Sequence, residues 1–368
     1  MKRKLLVQVT RVAAAVLPWM LGAFASGPAH AGLLPGASYT PLIVAGAPPD
    51  SPAARVDANL PTSPFSGVVS INIRYANGDS FICSGALVSK RDVVTAGHCV
   101  DSDGNGTVID INAPGNDVRV VFNSQPNPGD PGRAIVTADK VSINPNYKGF
   151  GNCPPGVNSF CVNDDVAVVH MNADAPDTAA IYRMLNPDTV NNGQLITMVG
   201  YGTSGTGPDG FTVGPNFRIK RVGMNVMDLY DLDDEQGFVA GPQEVWYADF
   251  DGNGLDVFCD FFGTCTQVLP NDKEAGLGGG DSGGPSFVFM DGEYFLYANN
   301  TFGGTLFDGQ IAGSFGTFSG GIVLASYADY LEQVTNGAIQ IIPEPGSLAL
   351  VGVAAAALLG ARRRKRAG

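Results

Sequence analysis

Basic residues and histidines are scarce in this 368-residue chain. It carries 22 Lys and Arg residues against 35 Asp and Glu, and it has only three histidines. A protein that binds nucleic acid needs clustered Lys and Arg to neutralise phosphates, so this balance argues against a nucleic-acid partner. No CxxC pair occurs, which gives a zinc site little support. The shortage of histidine leaves very few candidates for a general base.

Apolar runs long enough to span a bilayer are also missing, and the two longest apolar runs lie at the ends of the chain. The N-terminus has a basic start that extends to Arg11, then an apolar run, then the small-x-small pattern of residues 29–31. This order is typical of a secretory signal peptide, which we expect to occupy residues 1–31 and to be cleaved after Ala31. A retained membrane anchor is the weaker alternative, because the run is short and contains Pro18.

The tail, residues 343–368, contains Pro-Glu-Pro-Gly, an apolar stretch from Ser347 to about Ala361, and the basic cluster RRRKR. A stretch this short is marginal for a bilayer span, which needs about 20 residues, and the basic cluster would stay cytoplasmic. We expect transient membrane insertion of the tail as a transmembrane helix. The three parts in this order closely resemble the PEP-CTERM sorting signal of Gram-negative bacteria, which implies removal by an exosortase. The resemblance implies export across the inner membrane to an extracellular or cell-surface, exopolysaccharide-associated location, with a permanent anchor as the alternative.

The body between the two ends, residues 32–342, keeps 13 basic and 34 acidic residues, a formal charge of −21. So acidic a body fits a soluble exported protein that can hold cations. All six cysteines lie in it, and an even number of cysteines in an oxidising compartment predicts disulfides before metal ligands. The cysteines fall into three pairs that are close in sequence, namely Cys83–Cys99, Cys153–Cys161 and Cys259–Cys265.

Short β-branched runs separated by Gly, Pro, Asn and Asp dominate the body. This pattern predicts an all-β sandwich or barrel. Helical periodicity is convincing only at residues 327–336. Residues 32–64, which are rich in Pro and Ala, are expected to be a propeptide or an irregular N-terminal arm. The strand-like runs include GVVSINIRY (67–75), DVAVVH (165–170), LITMVGYG (195–202) and SFVFM (286–290).

The stretch GGGDSGGP at 278–285 surrounds one serine with glycines. A serine hydroxyl is a weak nucleophile that needs an adjacent base, and the base needs a third group to orient it. Ser282 supplies the hydroxyl, His98 the base, and Asp165 the third group. The glycines would let the N–H groups of Gly280 and Ser282 point together at a developing oxyanion.

Three motifs in the order TAGHC, DDVAVV and GGDSGGP resemble those of the chymotrypsin/trypsin-like serine proteases. The resemblance implies two antiparallel six-stranded β-barrels with a short C-terminal helix in a domain over 65–342, with barrels at about 65–180 and about 190–335. In the family the aspartate directly precedes the apolar run, which favours Asp165 over Asp164. The implied function is an exported serine endopeptidase that acts on proteins or peptides and requires no cofactor. The alternative is a catalytically silent surface or matrix-binding protein on a protease scaffold.

The chain departs from the family at the primary specificity pocket. Trypsin-like members carry an aspartate six residues before the serine, where this chain has Gly276. The pocket then has no charge that selects Arg or Lys, and we expect an apolar or small residue on the acyl side of the cleaved bond. The pocket wall is best matched by Thr301, Phe302 and Gly303, with GSFG at 313–316 as a rival.

In the family, the aspartate before the serine receives a salt bridge from a new N-terminus that proteolysis creates. Here that aspartate is Asp281, and Ile43-Val44-Ala45-Gly46 resembles the new N-terminal sequence. The resemblance suggests a zymogen that is activated by cleavage after Leu42. The alternative is that this segment is simply a strand in the arm.

Two acidic segments have the spacing of calcium loops, in which a hard cation needs several convergent oxygens. In DSDGNGTVID at 101–110, Asp101, Asp103 and Asn105 alternate, and Asp110 is a further candidate ligand. Both segments are also ordinary turn sequences, because Asp-Gly and Asn-Gly favour turns. Calcium is therefore a candidate structural ion at either loop. The second segment, DFDGNGLD, repeats the spacing with Asp249, Asp251, Asn253 and Asp256.

Overall fold

The computed structural model describes residues 43–124, 133–157, 159–186, 192–306 and 308–343. The predicted signal peptide, the bond after Leu42 and nearly all of the predicted sorting tail lie outside these residues. Within them the protein is mostly β, as the resemblance implied, with two short α-helices. No helix among the described residues has the length and hydropathy that a membrane crossing requires.

Six strands of the first half close into a barrel in the order β1-β2-β3-β6-β5-β4, and every neighbouring pair is antiparallel. Side chains alternate across each strand, and those directed inward, such as Ile71, Leu87 and Val169, are fully buried in the barrel core. This is one of the two six-stranded barrels that the resemblance implied. Its strands are β1 (Val68–Arg74), β2 (Ser80–Leu87), β3 (Asp92–Thr95), β4 (Asp117–Asn123), β5 (Arg133–Ile143) and β6 (Ala167–Met171).

The strands of the second half are β7 (Met184–Asn186), β8 (Gln194–Gly200), β9 (Ser204–Thr206), β10 (Gly210–Val213), β11 (Arg221–Met227), β12 (Leu229–Leu232), β13 (Gln243–Asp249), β14 (Pro285–Met290), β15 (Glu293–Asn299), β16 (Phe302–Gly304), β17 (Phe318–Ile322) and β18 (Ile341–Pro343). They form a six-stranded sheet, β11-β8-β14-β15-β7-β18, a four-stranded sheet, β12-β13-β17-β16, and the pair β10-β9. A bridge between Ala298 and Val323 connects the two larger sheets. The pairings of the three-residue strand β7 with β15 and β18 are parallel, so this half departs in detail from one antiparallel barrel.

The helix predicted at 327–336 is confirmed as α2 (Ala328–Val334), which buries Leu331 completely. The other helix, α1 (Val257–Phe262), is not predicted by periodicity because it is shorter than two turns. It begins after Asp256, whose carboxylate accepts the Cys259 N–H at 2.9 Å. It ends at Gly263 in the left-handed conformation, with φ of 71°. Capping residues, rather than an apolar stripe, therefore define α1.

The described part of the predicted arm, residues 43–64, consists of turns and isolated bridges that pack on the second half. Val44 is fully buried and forms a bridge with Gly276. Lys220 is also fully buried, and its ammonium donates to the Phe65 carbonyl at 2.6 Å and lies 3.4 Å from the Asp57 carboxylate. Burial lowers the pKa of Lys220 to about 8, although Asp57 opposes this shift. The arm thus supplies the counter-charge of a lysine inside the second half.

Candidate active site

His98 lies just after β3, in a 3-10 turn that spans Gly97–Cys99. The disulfide Cys83–Cys99 ties this turn to β2, which is itself the antiparallel neighbour of β3. The ladder and the crosslink together fix the backbone at His98, and its side chain is only 17% exposed. All six cysteines are paired, and the pairs are Cys83–Cys99, Cys153–Cys161 and Cys259–Cys265.

Asp165 lies directly before β6 and holds His98 through two contacts. Its Oδ1 accepts the backbone N–H of His98 at 2.6 Å, and its Oδ2 lies 2.7 Å from His98 Nδ1. The carboxylate is completely buried, so it acts on the imidazole without screening by solvent. Burial alone would lower the pKa of His98, but the charge and hydrogen bond of Asp165 raise it above its ordinary value. With the Nδ1 proton held by Asp165, Nε2 is the ring atom left to accept a proton.

The neighbouring Asp164 does not contact His98. Its backbone is in the left-handed region with φ of 63°, its N–H donates to the Tyr327 hydroxyl at 2.9 Å, and its carboxylate accepts from Asn144 at 3.2 Å. Burial raises the pKa of Asp164 to about 8, and nearby carboxylates, Glu235 first among them, add to the rise. Of the two adjacent aspartates, only Asp165 therefore contacts His98.

Ser282 is 3% exposed and lies beside the same disulfide as His98. Cys99 Sγ is 3.9 Å from His98 Nε2 and 3.7 Å from the Ser282 carbonyl oxygen, and that carbonyl also accepts the Ser84 N–H at 2.8 Å. Ser282 Oγ forms no hydrogen bond with any described residue, including His98. A catalytic hydrogen bond is often long before substrate binds. The contacts of Cys99 Sγ place the His98 ring and the Ser282 backbone beside the same disulfide.

The serine loop needs glycine at two positions. Gly280 has φ of 103°, and a Cβ on Gly283 would lie 2.0 Å from Thr95 Oγ1. In the described part of the chain, the N–H groups of Gly280 and Ser282 have no acceptor, whereas those of Asp281 and Gly283 donate to carbonyl oxygens at 3.1 and 2.7 Å. Among the amides of residues 280–283, the two proposed to bind an oxyanion are therefore those without a hydrogen-bond acceptor in the described part of the protein.

Asp281, next to the serine, is completely buried. Its Oδ1 accepts the Gly202 N–H at 2.9 Å, whereas its Oδ2 is buried without a hydrogen-bond partner among the described residues. Burial raises the pKa of Asp281 to about 7, while the Gly202 amide, the charge of Arg221 and the Ile43 amide oppose the rise. The first residue of the proposed new N-terminus therefore lies against the carboxylate that such an N-terminus would pair with.

Apolar groups surround Gly276, the position that carries an aspartate in trypsin-like members. A Cβ on Gly276 would meet the ring of Phe250 at 3.4 Å, and Phe250 is fully buried. Gly303 pairs with Ser319 between β16 and β17, and the ring of Phe302 on β16 packs 6.3 Å from that of Phe318. The three atoms nearest to a Cβ on Gly276 all belong to Phe250, so no acidic side chain of the described residues is in direct contact with this position.

The rival segment GSFG at 313–316 occupies a different position. Phe315 packs behind the base, with its ring 4.8 Å from that of Phe250. Thr301, by contrast, begins the segment that pairs with β17, and its N–H donates to the Gly320 carbonyl at 3.0 Å.

Phe150 is an aromatic neighbour of the site that no motif marks. Its ring is 5.6 Å from the imidazole of His98, 6.3 Å from the ring of Phe302 and 5.7 Å from that of Phe160. Phe150 lies just before the segment that the Cys153–Cys161 disulfide closes, and Phe160 lies within it. That extra disulfide just before β6 is the sequence signal that could have pointed to it.

The candidate calcium loop that follows the histidine turn uses its acids internally. Asp101 accepts the N–H groups of Asp103, Gly104 and Gly106 at 2.9 to 3.2 Å. Asp103 accepts from Asn105 and Thr107, and Asp110 accepts from Asn112. Calcium at Asp101, Asp103, Asn105 and Asp110 stays a prediction.

A second Asp–His–Ser series lies on the first barrel. Asp92 Oδ1 is 2.7 Å from His170 Nδ1, and Ser142 Oγ is 3.2 Å from His170 Nε2. Ser142 is inside the β5–β6 ladder opposite Val168, without a glycine loop beside it. This series therefore lacks the available amides that accompany Ser282.

Comparison with known proteins finds matches to two parts of the chain. The family model described as Trypsin matches residues 56–228, a range that includes His98 and Asp165 and ends before Ser282. A second model, described as PEP-CTERM protein-sorting motif, matches residues 342–365. The chain is similar to brachyurin of Leptuca pugilator, with 26% identity over 208 residues that cover 56% of this chain and 71% of the relative. Together with the fold, these matches show a trypsin-family domain at residues 56–228 and a PEP-CTERM protein-sorting motif at residues 342–365, and they support a serine endopeptidase.

Proposed function

We propose that this endopeptidase is exported and that Ser282, His98 and Asp165 form its catalytic triad. The observation that carries the proposal is the pair of contacts, 2.6 and 2.7 Å, by which buried Asp165 holds His98. Both Ser282 and His98 lie against Cys99 Sγ, and the amides of Gly280 and Ser282 lack acceptors among the described residues. A nucleophile, an oriented base and amide donors are the parts that acyl transfer needs.

In the proposed reaction, His98 Nε2 takes the proton of Ser282 Oγ as this oxygen attacks the peptide carbonyl carbon. The carbonyl oxygen becomes an oxyanion and accepts hydrogen bonds from the Gly280 and Ser282 amides, where losing one donor typically costs about 3–4 kcal/mol of barrier. The C–N bond then breaks, and His98 returns the proton to the leaving amine. Water repeats the attack on the acyl-enzyme and releases the acid and free Ser282. Asp165 stabilises the imidazolium that forms on His98, consistent with the raised pKa of His98.

The same proposal includes an apolar or small residue on the acyl side of the cleaved bond. Gly276 contributes no charge, and the base behind it is the ring of Phe250. Thr301, Phe302 and Gly303 would form the wall, with Phe150 extending the apolar surface towards His98. The substrates would be proteins or peptides whose side chains at this subsite gain more from burial than from an ion pair.

Export and sorting form the next part of the proposal. The PEP-CTERM match supports recognition by exosortase-type machinery, transient insertion of the tail, and delivery to the exterior or cell surface of a Gram-negative bacterium. Three disulfides fit an oxidising compartment. Loss of secretion on deletion of residues 343–368, with a fold unchanged by circular dichroism, would support this route; unchanged surface or medium levels would contradict it.

Activation by cleavage after Leu42 is also proposed. In the uncut chain the backbone amide of Ile43 near Asp281 carries no charge, and Asp281 Oδ2 is buried without a hydrogen-bond partner among the described residues. A cut would convert this amide into an ammonium group beside a buried carboxylate, and the ion pair would hold the serine loop. Edman sequencing of the fraction that a fluorophosphonate labels should begin at Ile43. Labelled protein that begins at Gly32 would contradict the cleavage.

A catalytically silent binding protein on the same scaffold is the other candidate, and no described feature favours it. A fluorophosphonate probe separates the two. The purified protein with its N-terminus at Ile43 should be labelled and should hydrolyse peptides, whereas Ser282→Ala should do neither. Ser142→Ala is the matched control, because it removes the serine of the second Asp–His–Ser series; it should retain labelling. Labelling that survives Ser282→Ala, or none in the parent protein, would overturn the proposed triad.

A further inference from the structure

The segment between β13 and α1 collects carboxylates that the proposed reaction does not use. Asp249, Asp251 and Asp256 each direct one carboxylate oxygen into a group in which all three oxygens lie within 4.8 Å of one another. Asp249 and Asp251 are buried, and Asp256 is half-buried at the start of α1. We call this segment, residues 249–256, the 249–256 loop.

One oxygen of the Asp251 carboxylate has no partner although it is buried. Asp251 is only 7% exposed, and its Oδ1 accepts no hydrogen bond from the described part of the protein. The other two acids each accept one backbone hydrogen bond, Asp249 from the Phe258 N–H at 2.8 Å and Asp256 from the Cys259 N–H at 2.9 Å. A buried carboxylate oxygen without a donor is rare in a stable protein unless a ligand satisfies it.

No basic side chain compensates these charges. Among the described residues, none of the acids in and around the loop forms an ion pair with Lys or Arg. Glu274 adds a further buried carboxylate, and one of its oxygens has no hydrogen-bond partner among the described residues. Asp228 lies beside the cluster, and its carboxylate accepts the Asp249 N–H at 3.1 Å. The acids concerned are Asp228, Asp249, Asp251, Asp256 and Glu274.

We propose that the 249–256 loop binds one calcium ion through Asp249, Asp251 and Asp256. Calcium takes six to eight oxygen ligands at 2.3–2.6 Å, so two oxygens on one ion lie at most about 5 Å apart, as these do. Oxygen-only ligands favour a hard cation over zinc. The Asn253 amide, loop carbonyl groups and water are the groups available for the remaining positions. The loop forms one wall of a cleft of about 410 Å³, which gives ions and water access from outside.

The ion would also act on the proposed substrate pocket. Phe250 lies between two ligands in the chain, and its buried ring is the group behind Gly276. Fixing Asp249 and Asp251 therefore fixes the backbone on both sides of this ring. The site itself does not depend on the proposed function, and the experiment below uses binding and melting rather than activity.

Calcium binding is best measured on the full secreted protein carrying Ser282→Ala, which prevents self-cleavage. After EDTA treatment and dialysis, calorimetry with CaCl2 should give a saturable heat, and about 1 mM CaCl2 should raise Tm because the ligand binds only the folded state. Asp251→Asn should weaken the affinity by about tenfold or more, since removing a charged ligand lowers calcium affinity. Asp256→Asn should do the same while keeping the cap of α1, because Asn caps a helix as well as Asp does.

Asp103→Asn in the other acidic loop is the matched control and should leave affinity and the calcium-dependent rise in Tm unchanged. In EDTA, Asp251→Asn should melt at or above the Tm of the parent, because it removes repulsion, which distinguishes loss of a ligand from damage to the fold. Two results would overturn the proposal. One is a parent protein with neither heat nor a rise in Tm, and the other is a rise that Asp251→Asn and Asp256→Asn retain in full. A rise that MgCl2 produces equally well would overturn the assignment of calcium.

Discussion

Asp165→Asn tests whether Asp165, and not its neighbour Asp164, is the aspartate that orients His98. In the native protein the Asp165 carboxylate makes two short contacts with His98, at the backbone N–H and at Nδ1. An asparagine keeps the shape but has an NH2 group in place of one oxygen. If that group donates to Nδ1, the ring proton moves to Nε2, and the imidazole can no longer accept the proton of Ser282.

The magnitude follows from the two contacts that are lost or reversed. A hydrogen bond to a charged group contributes roughly 1.5–3 kcal/mol, so two of them account for roughly 3–6 kcal/mol. At 1.36 kcal/mol per factor of ten, this corresponds to a loss of roughly 10²–10⁴ in rate. The wrong tautomer removes the base function as well, which puts the expected loss in kcat/KM near the upper limit, at about 10⁴.

The assay is hydrolysis of an apolar peptide substrate across a pH series. Asp165 is the group that raises the pKa of His98, so without it the acid limb of the kcat/KM profile should move to lower pH. Asp164→Asn is the matched control, because it makes the same change one residue away at a side chain that has no contact with His98. Its kcat/KM should stay within about threefold of the parent value. The reasoning is refuted if Asp165→Asn retains activity within about tenfold, or if Asp164→Asn loses as much.

Three further predictions concern the pocket, the crosslink and pH. Gly276→Asp puts a carboxylate at the pocket base, where its Cβ would meet Phe250 at an ordinary 3.4 Å; kcat/KM for peptides with Arg relative to Leu should rise about tenfold or more, with Gly276→Asn as control. An unchanged ratio would argue against Gly276 as the base. Replacing Cys83 and Cys99 together by Ser should cost about 3 kcal/mol of unfolding free energy in urea, and a loss below about 1 kcal/mol would contradict the crosslink's role. Asp164 and Glu244 have pKa values raised to about 8 and about 7, mainly by burial, so the folded state holds protons that the unfolded state releases. Stability should therefore fall as pH rises from about 4 to about 8, Tm of the Ser282→Ala protein should fall with it, and Asp164→Asn should flatten this slope; an equal slope in the variant would count against the assignment.

The parts of the site that the sequence predicts are those whose chemistry demands a local pattern. A serine loop needs glycine wherever the backbone turns through positive φ or passes close to another strand, and Gly280 and Gly283 meet those conditions. His98 precedes a cysteine that crosslinks its turn, and Asp165 precedes a strand that is buried except at His170. Each of these is visible within a few letters of sequence.

The remaining features depend on contacts between distant segments, which local patterns do not encode. Phe150 reaches His98 across more than fifty residues of chain, and the bridge between Val44 and Gly276 joins the arm to the pocket. The acidic spacing of a calcium loop occurs in two segments, residues 101–110 and 249–256. The fold shows the difference between them. The Asp101 carboxylate accepts hydrogen bonds from backbone amides of its own loop, whereas Asp251 has a buried oxygen with no hydrogen-bond partner among the described residues.

The contact between Asp57 and Lys220 sets a practical limit on shortening this protein. A recombinant version that starts at residue 65, where the motif resemblance begins, would discard Asp57 and leave an ammonium group sealed inside the second half without its anion. Removing one member of such a buried pair typically costs about 3–5 kcal/mol, a large share of a domain's total stability. Expression vectors should therefore begin at Ile43 or earlier, and proteolytic trimming beyond that point should end in misfolding rather than in a smaller working enzyme.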